Sequence, residues 1–144
     1  MCAEKLYYDL VAAYGCGGCR VEVGQCYGAV GVVLRILPAR PVSIEELQLP
    51  EIVRTIAYKT KGLVLITGST SQGKTTTMGA MIDEINTNCK KHIVTIEDPI
   101  EYVHENKQGV VRQREVGKDT RSFSQGLRAA PGQDPDVSAI DARR

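Results

Sequence analysis

The stretch from Gly68 to Thr75, Gly-Ser-Thr-Ser-Gln-Gly-Lys-Thr, constrains this chain more than any other. It fits the pattern G-x-x-x-x-G-K-[ST], in which a buried strand ends, the backbone curls around a phosphate, and a helix begins with its free N–H groups pointing inward. Gly68 and Gly73 permit the tight curl because they carry no Cβ atom. In such a loop the lysine, here Lys74, reaches the β- and γ-phosphates, and the hydroxyl of Thr75 holds Mg²⁺. The stretch therefore predicts a nucleotide site.

The sequence on either side of this loop fits its requirements. Residues 62–67, Gly-Leu-Val-Leu-Ile-Thr, form a short apolar run that predicts a buried parallel strand. After the loop, apolar residues recur at the spacing of one helix face: Met78, Met81, Ile82 and Ile85. A glycine-rich turn between two core elements is the alternative interpretation, and the flanking strand and helix disfavour it. We therefore predict ATP and Mg²⁺ as cofactors, Thr75 as the metal ligand, and a nucleotide held by Gly68, Ser69, Thr70, Ser71, Gln72, Gly73, Lys74, Thr75 and Thr76.

Composition limits the class of protein. The chain has 144 residues, of which 42% are hydrophobic and 24% are charged, as expected for one soluble globular domain. A net charge of +1 gives no reason to expect nucleic acid or an acidic membrane surface as a partner. No apolar run is as long as a membrane span, and residues 1–5 lack the basic start of a signal peptide. We therefore predict a cytoplasmic chain that neither inserts into a membrane nor binds nucleic acid.

The five cysteines indicate free thiols rather than a disulfide framework in a chain of this kind. Cys16 and Cys19 have the spacing of half a zinc site or of a redox pair, and Cys26 follows. No second C-x-x-C follows, and both histidines, His92 and His104, lie far along the chain. A turn is the simplest interpretation, and the metal and redox alternatives stay open.

The rest of the pattern alternates strands and helices. Strands are predicted at residues 19–23, 30–37, 92–96, 108–116 and 136–141. Helices are predicted at residues 51–59, with Ile52, Ile56 and Ala57 on one face, and at residues 122–130. Three prolines between positions 38 and 50 mark a linker, in which Ser43-Ile-Glu-Glu46 has the pattern of a capping box.

An acidic segment, Glu97-Asp-Pro-Ile-Glu101, directly follows the strand predicted at residues 92–96. Open α/β sheets bind ligands at the carboxyl ends of their parallel strands, so this segment is a candidate part of the site. Glu101 is the most promising acid, although a solvated acidic turn would have the same composition. Arg112 and Arg114 lie on the next strand, where an arginine near phosphates can stabilise transition-state charge.

Four motifs together resemble the PilT-type retraction ATPases of type IV pili, within the secretion-ATPase superfamily. They are residues 62–75, residues 93–102, Gln113-Arg-Glu-Val116 and Asp134-Pro-Asp-Val137, which follow one another at the family's spacing. The resemblance implies an α/β fold: a partial RecA-like P-loop NTPase core at residues 62–144. It also implies the end of a PAS-like N-terminal domain at residues 1–40, with a linker and short helix at residues 41–61.

The resemblance also implies roles for individual residues and partners. Lys74 and Thr75 would bind phosphates and Mg²⁺, and Arg114 matches an arginine thought to reach nucleotide phosphates. The acidic segment resembles the family's Asp box, in which Glu101 would assist catalysis. The predicted catalytic residues are therefore Glu101, Glu97, Asp98 and Arg114. Such enzymes form hexameric rings at the inner face of the cell membrane, where they act on the inner-membrane pilus platform protein and drive pilin extraction.

The sequence departs from the family's pattern in two places. The family's Walker B strand ends in Gly-Glu, and the gap-free register places Asp141 and Ala142 there, so that a methyl group replaces the glutamate that polarises water. Pro131 and Gly132 break a helix that the family continues, and the family's His box would lie beyond Arg144. We therefore expect a truncated chain with weak or absent ATP hydrolysis.

Three hypotheses remain for the activity. The first is an ATP-binding fragment of the retraction motor, or of the related pilus-extension or type II secretion ATPases. The second is a nucleotide-binding or assembly module that does not hydrolyse ATP. The third, a small P-loop kinase, is disfavoured because no segment offers an acceptor site or a lid.

Overall fold

The computed structural model describes residues 18–26, 28–130 and 137–142. The chain divides into two compact units, Met1–Arg40 and Pro41–Arg144. Among the described residues, no helix combines the length and apolar character that crossing a membrane requires.

The first unit contains an antiparallel hairpin. Strand β1 (Gly18–Cys26) pairs with β2 (Ala29–Leu37) from Gly18 opposite Leu37 to Cys26 opposite Ala29. Gly28 in the turn has φ 78°, a left-handed conformation that glycine adopts without strain. The alternation at residues 19–23 and the β-branched residues at 30–37 predict these two strands, and both predictions are confirmed.

The second unit is an α/β layer structure around a parallel sheet. In chain order it contains α1 (Glu51–Ala57), α2 (Lys74–Asn88), β3 (His92–Glu97), β4 (Val110–Glu115), α3 (Phe123–Ala129) and β5 (Val137–Ala142). The sheet has the order β4-β3-β5, and β3 runs parallel to both neighbours. The predicted α/β class and the parallel strands after the loop are confirmed.

Helices cover both faces of the central strand β3. Ile93 packs in a buried cluster with Ile82 and Ile85 of α2 and with Ala57 of α1. Successive side chains of a strand point to opposite faces, so Ile96 lies on the other face, where Gly126 of α3 lies against it. Both isoleucines are fully buried, which explains why apolar residues of this strand face both sides of the sheet rather than one.

The segment at residues 62–67 was predicted as a buried strand, and that prediction is wrong. The structure gives these residues no regular secondary structure, and Leu63 and Leu65 are 82% and 74% exposed. An apolar run becomes a strand only when a neighbouring strand supplies its hydrogen bonds, because strand preference depends mainly on packing partners. Within the described residues, the sheet ends at β5 and does not extend to this segment.

Polar contacts order the linker and fix α1 against α2. Ser43 and Glu46 form the predicted capping box: the Ser43 hydroxyl accepts from the Glu46 N–H and the Glu46 carboxylate from the Ser43 N–H, each at 3.1 Å. Arg54 of α1 donates to Glu84 of α2 at 3.0 Å.

The apolar face predicted for α1 is only partly buried. Ala57 is buried but Ile52 is 58% exposed, so the prediction is wrong for Ile52. Seven residues make only two turns, and just one end of α1 reaches the core.

Asn86, near the end of α2, anchors the loop between β3 and β4. Its side chain is completely buried, donates to the Glu105 carbonyl at 2.7 Å and accepts from the Lys107 N–H at 3.2 Å. Its backbone carbonyl accepts from the N–H groups of Gln108 and Gly109. At Gly109 a Cβ atom would lie 2.8 Å from the Lys91 carbonyl oxygen, so only glycine permits this close approach.

Candidate nucleotide site

The loop Gly68–Thr75 lies at the amino end of α2, as its sequence predicts. Gly73 precedes the first helical residue with φ 80°, and its carbonyl accepts the first helical hydrogen bond, from the Thr77 N–H at 2.9 Å. Gly68 has φ 153° and Ser71 has φ 64°, so the loop uses positive φ angles at three points. This curled backbone leaves the unpaired N–H groups of the first turn of α2 facing the loop, where an anion would be stabilised.

Lys74 spans the loop. Its ammonium group donates to the carbonyl oxygens of Gly68 at 2.8 Å and Ser69 at 2.7 Å. The loop residues before Lys74 are exposed, whereas Lys74, Thr75 and Thr76 are half-buried in the first turn of α2. A fixed positive charge, helical N–H groups and a hydroxyl are therefore gathered within a few residues of one another.

The acidic segment after β3 places its three carboxylates in different surroundings. Glu97 is buried at 8% exposure and accepts from the Thr95 hydroxyl at 2.6 Å and from the Gln113 amide at 3.0 Å. Asp98 is exposed, and Glu101 is half-buried. Both hydrogen bonds reach the Oε1 atom of Glu97, so this oxygen ties the start of the acidic segment to side chains of β3 and β4.

Tyr102 connects the acidic segment to the start of α2. Its ring lies against Gly79, where a Cβ atom would be 3.4 Å from the ring, and its hydroxyl donates to the Thr76 hydroxyl at 3.4 Å. Because Thr76 belongs to the first turn of α2, this contact brings the end of the acidic segment next to the loop. Tyr102 ends the motif at residues 93–102, and its position in the sequence alone predicts no role for it.

Arg114 lies near the carboxyl end of β4, where it lines a polar pocket. The pocket has a volume of about 350 Å³ and is lined by residues that include Arg114, Lys118, Thr120 and Arg121. Lys118 is paired with Glu115 at 2.7 Å. No residue of Gly68–Thr75 lines this pocket within the described part of the chain. Arg114 therefore shares this pocket with Lys118, Thr120 and Arg121 and not with a residue of the loop.

The last residue of β5, Ala142, pairs with Glu97, the first residue of the acidic segment. Asp141 pairs with Ile96 and Ala142 with Glu97 in the parallel register. The two positions at which the sequence departs from the Walker B pattern therefore share the carboxyl edge of the sheet with Glu97.

Comparison with known proteins decides the family. The sequence model described as "Type II/IV secretion system protein" matches residues 22–140. This chain belongs to that family.

Individual relatives are similar over most of this chain but are much longer than it. The type IV pilus retraction ATPase PilT of Pseudomonas aeruginosa is 46% identical over 87% of this chain and 36% of its own length. A twitching motility protein of Neisseria gonorrhoeae is 46% identical over 78% of this chain and 30% of its own length. The crystal structure of the pilus retraction motor PilT with bound ADP superposes with a TM-score of 0.80 at 39% identity, over all of this chain and 45% of the other. The chain thus spans about a third of the curated relatives, and the resemblance inferred from its motifs is confirmed.

A metal site of clustered protein ligands is not present in the described part of this family member. Those residues contain no group of three or more His, Cys, Asp or Glu side chains placed to hold an ion. Cys16 and the side chains of Cys19 and Cys26, on which the zinc and redox alternatives depend, lie outside the described residues.

His104, just after the acidic segment, provides a pH-dependent element. It is 9% exposed, its Nδ1 atom has no hydrogen-bond partner, and burial lowers its pKa below the ordinary value, partly opposed by the Asp83 carboxylate and reinforced by the Lys107 ammonium. A histidine whose pKa is lower in the folded than in the unfolded state contributes stability above the unfolded pKa of about 6.5, and that contribution is lost as the pH falls below it.

We therefore expect the urea midpoint of the chain to fall between pH 7.5 and pH 5.5, and to fall less in the His104→Gln variant, which cannot take up this proton. Equal decreases in wild type and His104→Gln would contradict this assignment.

Proposed function

We propose that this chain is the nucleotide-binding part of a motor subunit of the type IV pilus retraction kind. The observation that carries this proposal is the loop Gly68–Thr75: a curled backbone, a helix amino end and the Lys74 ammonium converge at one point. Two relatives at 46% identity are named for pilus retraction and twitching motility, which favours retraction over extension or secretion.

In this proposal ATP is held mainly by backbone groups. The N–H groups of the loop and of the first turn of α2 bind the phosphates, and Lys74 exchanges its two carbonyl acceptors for phosphate oxygens. The Thr75 hydroxyl is the single protein ligand that a P-loop gives to Mg²⁺, so no cluster of carboxylates is required there. Mg²⁺, when bound, neutralises charge on the phosphates. Glu101, half-buried next to Tyr102, is the acid to which the family resemblance gives a catalytic role.

The proposal extends to the assembly. A homo-hexameric ring at the cytoplasmic face of the cell membrane, acting on the inner-membrane pilus platform protein, is what the family resemblance implies. Exposed apolar side chains of the second unit support association, because Leu63 and Leu65 are 82% and 74% exposed and soluble monomers rarely expose neighbouring large apolar residues to this extent.

Binding of Mg-ATP, measured by titration calorimetry, tests the loop assignment. We expect Lys74→Ala to weaken the affinity by about tenfold to one hundredfold, because a charge-assisted hydrogen bond contributes about 1.5–3 kcal/mol. Lys59→Ala is the matched control: it removes an exposed lysine outside the loop and should leave the affinity within about twofold. Equal affinities for wild type and Lys74→Ala would exclude the assignment.

A nucleotide-binding module without hydrolysis is the second candidate, and one observation favours it. Ala142 ends β5 at the level of Glu97, where the resemblance requires a glutamate that polarises water. An alanine methyl group neither accepts a proton nor orients water. Binding and turnover must therefore be measured separately.

A further inference from the structure

Gln113, in the middle of β4, uses every polar atom of its side chain to hold other segments. Its Nε2 atom donates to the Glu97 carboxylate at 3.0 Å and to the Tyr102 carbonyl at 2.7 Å. Its Oε1 atom accepts from the His104 N–H at 2.9 Å. An amide of this kind offers two N–H donors and one carbonyl acceptor, and here all three are satisfied.

The partners of Gln113 also determine the orientation of its amide. The Nε2 atom faces two oxygen acceptors, and the Oε1 atom faces an N–H donor. The flipped amide would place oxygen against the carboxylate and the carbonyl, and nitrogen against the N–H. Only the observed orientation is compatible with these neighbours.

These three hydrogen bonds attach both ends of the acidic segment to the Gln113 side chain. Glu97 stands at its beginning, where its carbonyl also accepts from the Val116 N–H at 2.9 Å. Tyr102 and His104 follow its end. Asp98 and Glu101 lie between the two points at which Gln113 holds the segment.

The same end of the segment contacts α2. The Tyr102 ring lies on Gly79 and its hydroxyl reaches Thr76, one residue after Thr75. The segment is therefore tied to the sheet through Gln113 and to the first turns of α2 through Tyr102. A rearrangement of that first turn on nucleotide binding would be transmitted to the segment by direct contact.

We propose that Gln113 is a positioning residue, which holds the acidic segment Glu97–Glu101 against the start of α2 so that the segment responds to nucleotide in the loop. This inference rests on the proposed nucleotide-binding function and assigns a role to a residue that does not itself contact the loop. A residue that only stabilised the fold would leave the response of the segment to nucleotide intact.

Amide hydrogen exchange of residues 98–104, followed in the full chain with and without Mg-ATP, tests the proposal. In wild type we expect Mg-ATP to slow exchange of this segment. Gln113→Met, of similar size but without the amide, should speed exchange there about tenfold or more and abolish the slowing by Mg-ATP. Its affinity for Mg-ATP, measured by calorimetry, should stay within about threefold of wild type because the loop is unchanged. Gln108→Met, on an exposed glutamine before β4, should behave as wild type.

Exchanging the amide of Gln113 and the carboxylate of Glu97 tests whether the protection of the segment can be restored. Gln113→Glu alone places a carboxylate against Glu97 and should loosen the segment at least as much as Gln113→Met. Adding Glu97→Gln restores a donor between the two positions and should recover part of the protection. Should Gln113→Met fail to fold, Gln113→Asn, whose amide is one methylene too short to reach both acceptors, serves for the same comparison.

The outcomes separate this inference from the function on which it rests. If Lys74→Ala leaves Mg-ATP binding unchanged, the proposed function fails. If Lys74→Ala weakens binding but the Gln113 variants keep the wild-type slowing of exchange by Mg-ATP, the positioning role alone is overturned.

Discussion

The purified chain is expected to release phosphate from Mg-ATP at or near the background rate. Phosphoryl transfer to water needs a group that positions the nucleophile, in addition to Mg²⁺ and groups that hold the phosphates. The family resemblance places that group at Ala142, whose backbone lies level with Glu97 at the carboxyl edge of the sheet. Loss of such a group typically costs about 10²–10⁴-fold in rate, or roughly 3–5 kcal/mol of barrier.

Two substitutions at this position distinguish the chemical cause. Ala142→Glu is expected to recover part of the lost rate, because it restores a carboxylate that can orient the attacking water. Ala142→Gln has the same size but a much weaker base, and should stay near background. A phosphate-release assay with Lys74→Ala as the blank measures both. Robust turnover by the unmodified chain, abolished in that blank, would show that Asp141 or another acid replaces the glutamate.

The second large effect concerns stability. Asn86→Ala is expected to lower the free energy of unfolding by about 2–4 kcal/mol, because it leaves the Glu105 carbonyl and the Lys107 N–H without their buried partner. The loop that they belong to leads into β4, so the loss also loosens the edge of the sheet that carries Gln113. Urea denaturation monitored by circular dichroism gives the difference.

Asn88→Ala is the matched control for this prediction. Asn88 lies two residues further along the same helix, and its amide donates to the Glu84 carbonyl and carboxylate, but it is exposed. Its removal should change the free energy of unfolding by no more than about 0.5 kcal/mol. A comparable loss in both variants would mean that the buried contacts of Asn86 do not determine the effect of Asn86→Ala, since replacing asparagine by alanine favours the helix at both positions.

Local patterns were sufficient to predict most of the second unit. The periodicity of Ile82 and Ile85 identified the buried face of α2, and the apolar run after His92 identified β3. The turn chemistry of Gly68 and Gly73 located the loop at the start of a helix. These features succeed because helix faces, buried strands and tight turns are each specified by residues close together in the chain.

The predictions that failed, and the contacts that were missed, depend on residues far apart in sequence. The run at residues 62–67 has the composition of a strand, but a strand also needs a neighbour, and sequence alone does not show whether one is available. The fixed position of the acidic segment depends on Gln113 and Tyr102, whose partners are set by the register of β4 against β3 and by the packing of the segment on α2. No local signal distinguishes Gln113 from a solvent-exposed glutamine such as Gln108.

The order of the sheet also determines what a ribosome-bound chain exposes. β3 is the central strand, yet both of its partners are synthesised after it: His92 pairs first with Val110 and then with Val137. At about 5–20 residues per second, the stretch between His92 and Val137 takes on the order of several seconds to make. During those seconds Ile93 and Ile96, which become fully buried, have an unpaired strand edge beside them. A nascent chain of this topology is therefore a target for chaperones that bind extended apolar segments, and slower translation before Val137 would prolong that exposure.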